Sequence, residues 1–345
     1  MGGLRLPTLL ALGLGCVDGL SNLPAAPDPV LHGRLHALGP GKDSTAGHWE
    51  LMGVVVDSPP PTYPDGFPPE VLDLVTALAG RPILCNRPCN GVEAIERYGA
   101  EHLAGGGLIL YTSQDSVLQI AAHTAVLDPD ALYELCRRLR RGLPPEHAVG
   151  RVIARPFEGR DGAFRRTDGR RDYALPPPRR SYLEEVRDAG LAVHAVGKVA
   201  QLFDGVGIDV KHPGPTNATA LAATTELIEG LDAGLAFTNL IDTDQVYGHR
   251  HDAEGFHAAL ARIDAAVAGW LSLLREGDLL VLTADHGCDV TARHTDHTRE
   301  HVPLLAVFSG HGGRRHDGPM ADVGASALDW LCGRRAPGLP GSSFV

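Results

Sequence analysis

From Thr283 to Pro303 the chain reads Thr-Ala-Asp-His-Gly-Cys-Asp-Val-Thr-Ala-Arg-His-Thr-Asp-His-Thr-Arg-Glu-His-Val-Pro. Asp285, His286, Asp296 and His297 fall within thirteen positions of this stretch. Carboxylate oxygens and imidazole nitrogens are the donors that hard and borderline divalent cations select. Any one of these residues alone is better read as a satisfied polar group near an element end. Four together point to a metal site. The apolar run Asp278–Leu282 before them reads as a buried strand. The donors would then occupy loops at a strand's carboxyl end, where open α/β sheets collect their ligands.

A second strand, Leu235–Ile241, runs into Asp242-Thr-Asp-Gln-Val-Tyr-Gly-His-Arg-His-Asp252 and delivers Asp244 and His249 in the same way. Two strand ends, each supplying a carboxylate and an imidazole, suit two ions side by side. Such a pair can hold the attacking and leaving oxygens of an in-line phosphoryl displacement. His251, in a charged turn, and His257, on the exposed side of a helix, read as solvated residues. Near the amino terminus, Gly41-Lys-Asp-Ser-Thr-Ala-Gly-His-Trp-Glu50 combines a glycine, two hydroxyls and a helix start. A Ser or Thr there is either an N-cap or a nucleophile whose phosphoryl group would rest on helix-start N–H groups. The residue pattern leaves both readings open.

The elements that must position these groups alternate along the chain. A Ser-x-x-Glu capping box (Ser181, Glu184) opens a helix over Ser181–Ala189. Strand Ala192–Gly197 follows, then an Ala-rich helix over Ala218–Leu231. The long helix Ala253–Leu274 carries Phe256, Leu260, Ile263, Val267, Trp270 and Leu274 as one apolar stripe. Strand Pro303–Phe308 and a helix over Ala321–Leu331 close the chain. Alternation of this kind implies an α/β fold, a mostly parallel sheet with helices on both faces. Two proline-rich stretches, Ser58–Pro64 and Leu175–Pro178, bracket about a third of the chain and predict an inserted domain joined by two hinges. Within the bracket, strands are expected at Pro82–Cys85, Leu108–Ser113, Val117–Ala122 and Gly150–Phe157. Helices are expected at Gly91–Arg97 and Asp130–Leu143, so the insert is a small α+β unit. The predicted boundaries are residues 1–58 and 179–345 for the core and 59–178 for the insert.

At 345 residues the chain exceeds what a single core usually fills, roughly 250–300 residues. A net charge of −11 argues against nucleic acid or an anionic membrane as the main partner. The six cysteines lack the paired spacings of a zinc site, and Cys85-Asn-Arg-Pro-Cys89 is the one close pair. The short apolar run Leu9–Val17 lacks a signal-peptide pattern, and no stretch approaches a membrane span. The cytoplasm is the expected compartment, with no obligate protein partner implied. Lysine occurs only at positions 42, 198 and 211, so each lysine merits separate attention.

Several of these segments resemble the phosphopentomutases, metal-dependent members of the alkaline-phosphatase superfamily. They are Gly41–Gly53, Tyr111–His123, Gly150-Arg-Val-Ile-Ala-Arg-Pro-Phe157, Asp172-Tyr-Ala-Leu175, Gly248-His-Arg250 and Thr295-Asp-His-Thr-Arg-Glu300. The resemblance implies an alkaline-phosphatase-like core with an inserted α+β cap. It implies interconversion of ribose 1-phosphate and ribose 5-phosphate, and of the 2-deoxyribose pair, through a phosphorylated hydroxyl and a pentose bisphosphate. Two ions, typically manganese, carry the charge in that family. Ser44 takes the phosphorylated position, with Thr45 beside it. Asp244, His249 and His297 would hold one metal; Asp285 and His286, with the Ser44 oxygen, would hold the other. Asp296 would orient its neighbours. Ser113, Asp115, Arg151, Arg166 and Lys198 match positions that hold the sugar phosphate, for which arginine forks are well shaped.

The family opens with a strand and Asp-Ser-x-Gly-x-Gly, whose aspartate ligates the second metal. Here the chain opens at Met1-Gly-Gly-Leu-Arg-Leu-Pro7. One central strand and one carboxylate ligand are therefore expected to be absent, leaving an open slot in the core. A start placed inside a longer reading frame is the preferred explanation, and a true truncation is the other. Competing readings are a cofactor-independent phosphoglycerate mutase, a related phosphatase, or an impaired metal-binding homologue. The compact insert and the Thr-Asp-His-Thr-Arg-Glu motif count against the first two.

Overall fold

A computed structural model describes residues 4–345 except 21, 114–115, 295 and 311. The chain divides into two compact units, Met1–Ser58 with Pro176–Val345, and Pro59–Leu175. The first unit begins with helix α1 (Pro7–Leu12), strand β1 (Leu31–His36) and helix α2 (Ser44–Leu51). The second carries α3 (Pro69–Ala79), β2 (Ile83–Pro88), α4 (Gly91–Gly105), β3 (Leu108–Thr112), β4 (Val117–His123), α5 (Pro129–Gly142), β5 (Arg151–Glu158), β6 (Arg165–Arg166) and β7 (Arg171–Ala174). The first unit then resumes with α6 (Tyr182–Asp188), β8 (Val193–Val196), α7 (Val199–Leu202), β9 (Val210–His212), α8 (Asn217–Gly230), β10 (Leu235–Thr238) and α9 (Ala253–Leu273). It ends with β11 (Leu280–Leu282), β12 (Val302–Val307), β13 (Gly318–Pro319) and α10 (Asp322–Cys332). No helix among the described residues is long and apolar enough to cross a membrane.

The strands of the first unit form two sheets, ordered β11-β12-β1-β13 and β10-β8-β9. β8 pairs in parallel with both β9 and β10, whereas β12 runs antiparallel to β1 and β11. The α/β class expected from alternation is what the chain adopts. One expectation fails in detail. The apolar runs ending in β10 and β11 read as buried strands, yet both are only half-buried, and Ala236 is exposed. The reason is topological: among the described residues each has a strand partner on one side only.

Packing around these sheets follows the apolar stripes. Val267 and Trp270 of α9 join Leu6, Leu9 and Leu12 of the amino-terminal segment and Leu305 of β12 in one core cluster, with Leu280 and Leu282 against it. The buried Asp264 of α9 accepts from the backbone N–H groups of Thr8 (3.2 Å) and Leu9 (2.7 Å). It thereby answers two donors that a helix start leaves unpaired. The Ser181–Glu184 capping box forms as its spacing predicts, opening α6.

In the second unit the period-two alternation of β3, β4 and β5 sorts residues onto two faces. Leu108, Leu110, Leu118, Ile120, Val152 and Ala154 meet the helices α3 and α5. Ile109, Tyr111, Ala121 and Phe157 meet Ala94 and Ile95 of α4. A sheet buried on both faces explains why these strands read as nearly continuous apolar runs.

Candidate metal centre

Three segments of the first unit bring the site together. The loop after β10 continues as a single turn of π-helix, Thr243–Tyr247, a local widening often found where function needs a side chain re-aimed. Asn217, at the start of α8, fixes its root. Its N–H donates to Asp242 Oδ2 at 3.0 Å, and its side-chain oxygen accepts from the Asp242 N–H at 2.9 Å. The loop after β11 folds back on itself through paired backbone hydrogen bonds between Gly287 and Thr298. That return brings His297 next to His286. The two loops touch where a Cβ on Gly248 would fall 2.4 Å from Cys288 Sγ, so only glycine allows the approach.

Helix α2 is the third segment. Its N-cap is Asp43, whose carboxylate accepts from the N–H groups of Thr45 and Ala46 at 2.9 and 3.1 Å. This decides between the two readings of the hydroxyls locally: capping is done by the aspartate, and Ser44 becomes the first helical residue. Its hydroxyl lies 3.1 Å from His286 Nε2. The helix rests directly on the metal-site loop, since a Cβ on Gly47 would sit 1.9 Å from the Asp285 carbonyl oxygen. One turn on, the buried His48 places Nδ1 3.0 Å from Asp285 Oδ2 and 2.9 Å from the Ser44 carbonyl oxygen.

The donors converge closely. His297 Nε2 is 3.0 Å and His249 Nε2 3.2 Å from the same Asp244 Oδ1. The rings of His286 and His297 stack with centroids 3.8 Å apart. Asp244, His286 and His297 offer ligand atoms within 4.8 Å of one another. His286 also lies 3.5 Å from Asp285 Oδ2, so it touches both of the ligand sets expected from the sequence. Asp296 stands apart from the cluster. It pairs with Lys42 and accepts from the His297 N–H at 2.9 Å.

Electrostatics follow from this crowding. Burial on its own would raise the Asp285 carboxyl, but His48 and His286 outweigh it and hold the group at about 2. Burial likewise opposes the ionised form of Asp244, and His297, His249 and His286 together still keep its pKa below the usual value. Burial depresses His297 while Asp244, Asp285 and Asp296 raise it, with a net upward shift. Burial and the surrounding carboxylates push the Cys288 thiol up to about 11, so it stays protonated. Two ionised carboxylates facing imidazoles, with no Arg or Lys salt bridge to Asp244 or Asp285 among the described contacts, form a donor set suited to divalent cations. The residues present fit a metal.

The remaining sequence-predicted residues lie elsewhere. Lys198 is in the first unit, at the N-cap position of α7. Ser113 directly follows β3, and Asp115 lies outside the described residues. Arg151 begins β5, with Nη1 3.7 Å from Asp172 Oδ2. Arg166 meets the buried Tyr111 hydroxyl beside α4: a Cβ on Gly91 would lie 2.2 Å from the guanidinium and 2.3 Å from that oxygen. Arg170 forks onto Asp172 with two 2.6 Å bonds, and Arg155 reaches Gln119 Oε1 at 3.3 Å. Sequence reasoning misses the role of Asp172 in tethering two arginines and that of His48 beneath Asp285. The four-residue interval from Ser44 to His48, once a helix is assumed, is the available signal.

The Metalloenzyme superfamily profile matches residues 1–332. A phosphopentomutase of Anaeromyxobacter dehalogenans is 45% identical over 335 residues, which cover 96% of this chain and 86% of that protein. One from Syntrophotalea carbinolica is 48% identical over 306 residues, 88% of this chain and 78% of its own length. One from Carboxydothermus hydrogenoformans is 44% identical over 352 residues, covering 100% and 89%.

Proposed function

The chain belongs to the phosphopentomutase family of the metalloenzyme superfamily, and from that premise we propose how its own residues carry out the isomerisation. The reaction is the transfer of phosphate between the 1- and 5-positions of ribose, and of 2-deoxyribose, making the chain an isomerase dependent on divalent metal. The observation that carries the mechanism is the Ser44 hydroxyl, released from capping by Asp43 and set 3.1 Å from His286.

We assign Asp244, His249 and His297 to one manganese ion, and Asp285 and His286 to a second. When bound, such ions stabilise the charge that develops on oxygens during phosphoryl transfer. Ser44 carries the phosphoryl group as an ester in the resting enzyme. The N–H groups of Thr45 and Ala46 are taken by the Asp43 carboxylate, so neutralising that group falls to the bound cations and not to the helix start. The sugar phosphate accepts that group on its free hydroxyl, giving a pentose bisphosphate. After the sugar turns over in the site, Ser44 takes back the other phosphoryl group. Asp285 is held ionised by His48, and Asp244 by His297 and His249, so neither competes for the transferred phosphate as a proton donor. Asp296 and Lys42 fix the loop that delivers His297.

We assign the second unit the binding of the sugar phosphate. Ser113, Asp115, Arg151 and Arg166 are the groups we assign to the sugar phosphate in this unit, and Lys198 is assigned as a phosphate-binding group of the first unit. The protein acts in the cytoplasm on small pentose phosphates. A coupled assay offering ribose 1-phosphate and 3-phosphoglycerate in parallel tests the reading: turnover of the pentose phosphate alone supports it, and preferential turnover of 3-phosphoglycerate contradicts it.

A further inference from the structure

Strand β2 contains an irregularity that the metal site does not use. Its register against β3 shifts between Cys85 and Arg87. Cys85 has φ +81° and its neighbour Asn86 φ +49°, two consecutive non-glycine residues in the left-handed region. Each such residue costs on the order of 1 kcal/mol or more and persists only where the surroundings enforce it. Here Asn86 supplies the enforcement. Its side-chain oxygen accepts from the Phe67 N–H at 2.8 Å, and its amide donates to the Phe67 carbonyl at 3.1 Å. On the far side, the Cys89 N–H donates to the Thr112 carbonyl at 3.2 Å, and Asn90 caps α4. The strained bulge between these two anchors turns the Cys85 side chain toward Cys89. Their sulfurs are 3.8 Å apart.

Both cysteines are half-buried, so a small reagent can reach them. Arg87 lies between them in sequence, and its positive charge opposes the upward shift of the Cys89 thiol. A pair of thiols in van der Waals contact, on a clamped backbone, lies within reach of the S–S bond length of about 2.05 Å.

We propose that Cys85 and Cys89 form a reversible dithiol–disulfide site that reacts with low-molecular-weight disulfides. The Cys85 thiolate attacks one sulfur of the reagent, a mixed disulfide forms, and one reagent thiolate leaves. The Cys89 thiolate then attacks the Cys85 sulfur, closing the intramolecular bond and expelling the second reagent thiolate. The two cysteines lose two protons and two electrons; the reagent disulfide gains both and becomes two thiols. Burial and the adjacent Cys85 push Cys89 up to about 12, so the closing step is slow at neutral pH and accelerates as pH rises. This site uses none of the residues assigned to the metals or to Ser44, and it stands whether or not the mutase reading does.

The test treats the folded, full-length chain with oxidised glutathione at several pH values. Intact mass and peptide mapping after alkylation provide the readout. The expected product has lost two hydrogens, retains no glutathione, links Cys85 to Cys89, reverts with dithiothreitol and forms faster at higher pH. Cys89→Ser is expected to stop at a stable glutathione adduct on Cys85. A wild-type chain that keeps glutathione on either sulfur, or that links either one to Cys16, Cys136, Cys288 or Cys332, overturns the proposal. So does a folded chain in which both thiols remain alkylatable while the urea-unfolded chain oxidises.

Discussion

The carboxylate–imidazole cluster of the first unit and the arginine face of the second are built on opposite electrostatic plans. Around Asp244 and Asp285 the charge is carboxylate, and the partners are imidazoles whose neutral ring nitrogens can offer a lone pair to a cation. Around Asp172 the ratio is reversed, with one carboxylate holding the Arg151 and Arg170 guanidiniums. In the same unit burial and the neighbouring Arg170 depress the pKa of Arg155, a mark of crowded positive charge. The first plan attracts cations and the second oxyanions. A phosphoryl-transfer enzyme needs both, and a net charge of −11 conceals the second entirely.

If the acidic cluster is where chemistry occurs and the basic face is where substrate is held, the two should respond differently to mutation. Ser44→Ala is expected to have the largest effect, lowering mutase turnover by at least about a thousandfold; turnover near wild type rejects Ser44 as the phosphoryl carrier. On the basic side, Arg151→Ala or Arg166→Ala removes a charge-assisted hydrogen bond of about 1.5–3 kcal/mol. The expected result is a KM for the sugar phosphate raised roughly tenfold to a hundredfold, with kcat changed much less. A fall in kcat at constant KM would erase the distinction drawn between the two regions.

His48 sharpens the acidic side. Removing a group that orients a ligand typically weakens metal binding by about 10- to 100-fold. His48→Ala should do so in a manganese titration followed by electron paramagnetic resonance. His48→Asn, whose amide can replace Nδ1–H, should recover part of the affinity. Equal loss in both variants would make His48 a packing residue only. The smallest effect is expected for Asp43→Ala, a lost N-cap of about 1 kcal/mol in thermal or denaturant unfolding.

Much of this arrangement is legible in the amino-acid sequence alone. The stripe on α9 and the capping box of α6 place their helices to within a residue or two, because periodicity and caps are local signals. The ligand loops are visible as donors following apolar runs. What escapes depends on contacts distant in sequence. β1 reads Leu-His-Gly-Arg-Leu-His, with no apolar run, and its place is set by β12 and by a glycine that lies almost against the His316 carbonyl. The half-burial of β10 and β11 is invisible because composition does not report how many neighbours a strand has. The cap of α2 is easily misjudged because Asp43, Ser44 and Thr45 are all good N-caps, and only the backbone reveals which one does it. Of the two arginines tethered by Asp172, Arg151 is reached only through the family resemblance and Arg170 is hidden by an arginine-rich composition.

The central claim is that Ser44 carries the phosphoryl group. The most direct measurement incubates the purified chain with manganese and radiolabelled ribose 1,5-bisphosphate, quenches it in acid and maps the phosphopeptide. Label is expected on Ser44, and it is lost on adding unlabelled ribose 5-phosphate. Label on Thr45 or on any other residue, with Ser44 unmodified, would contradict it.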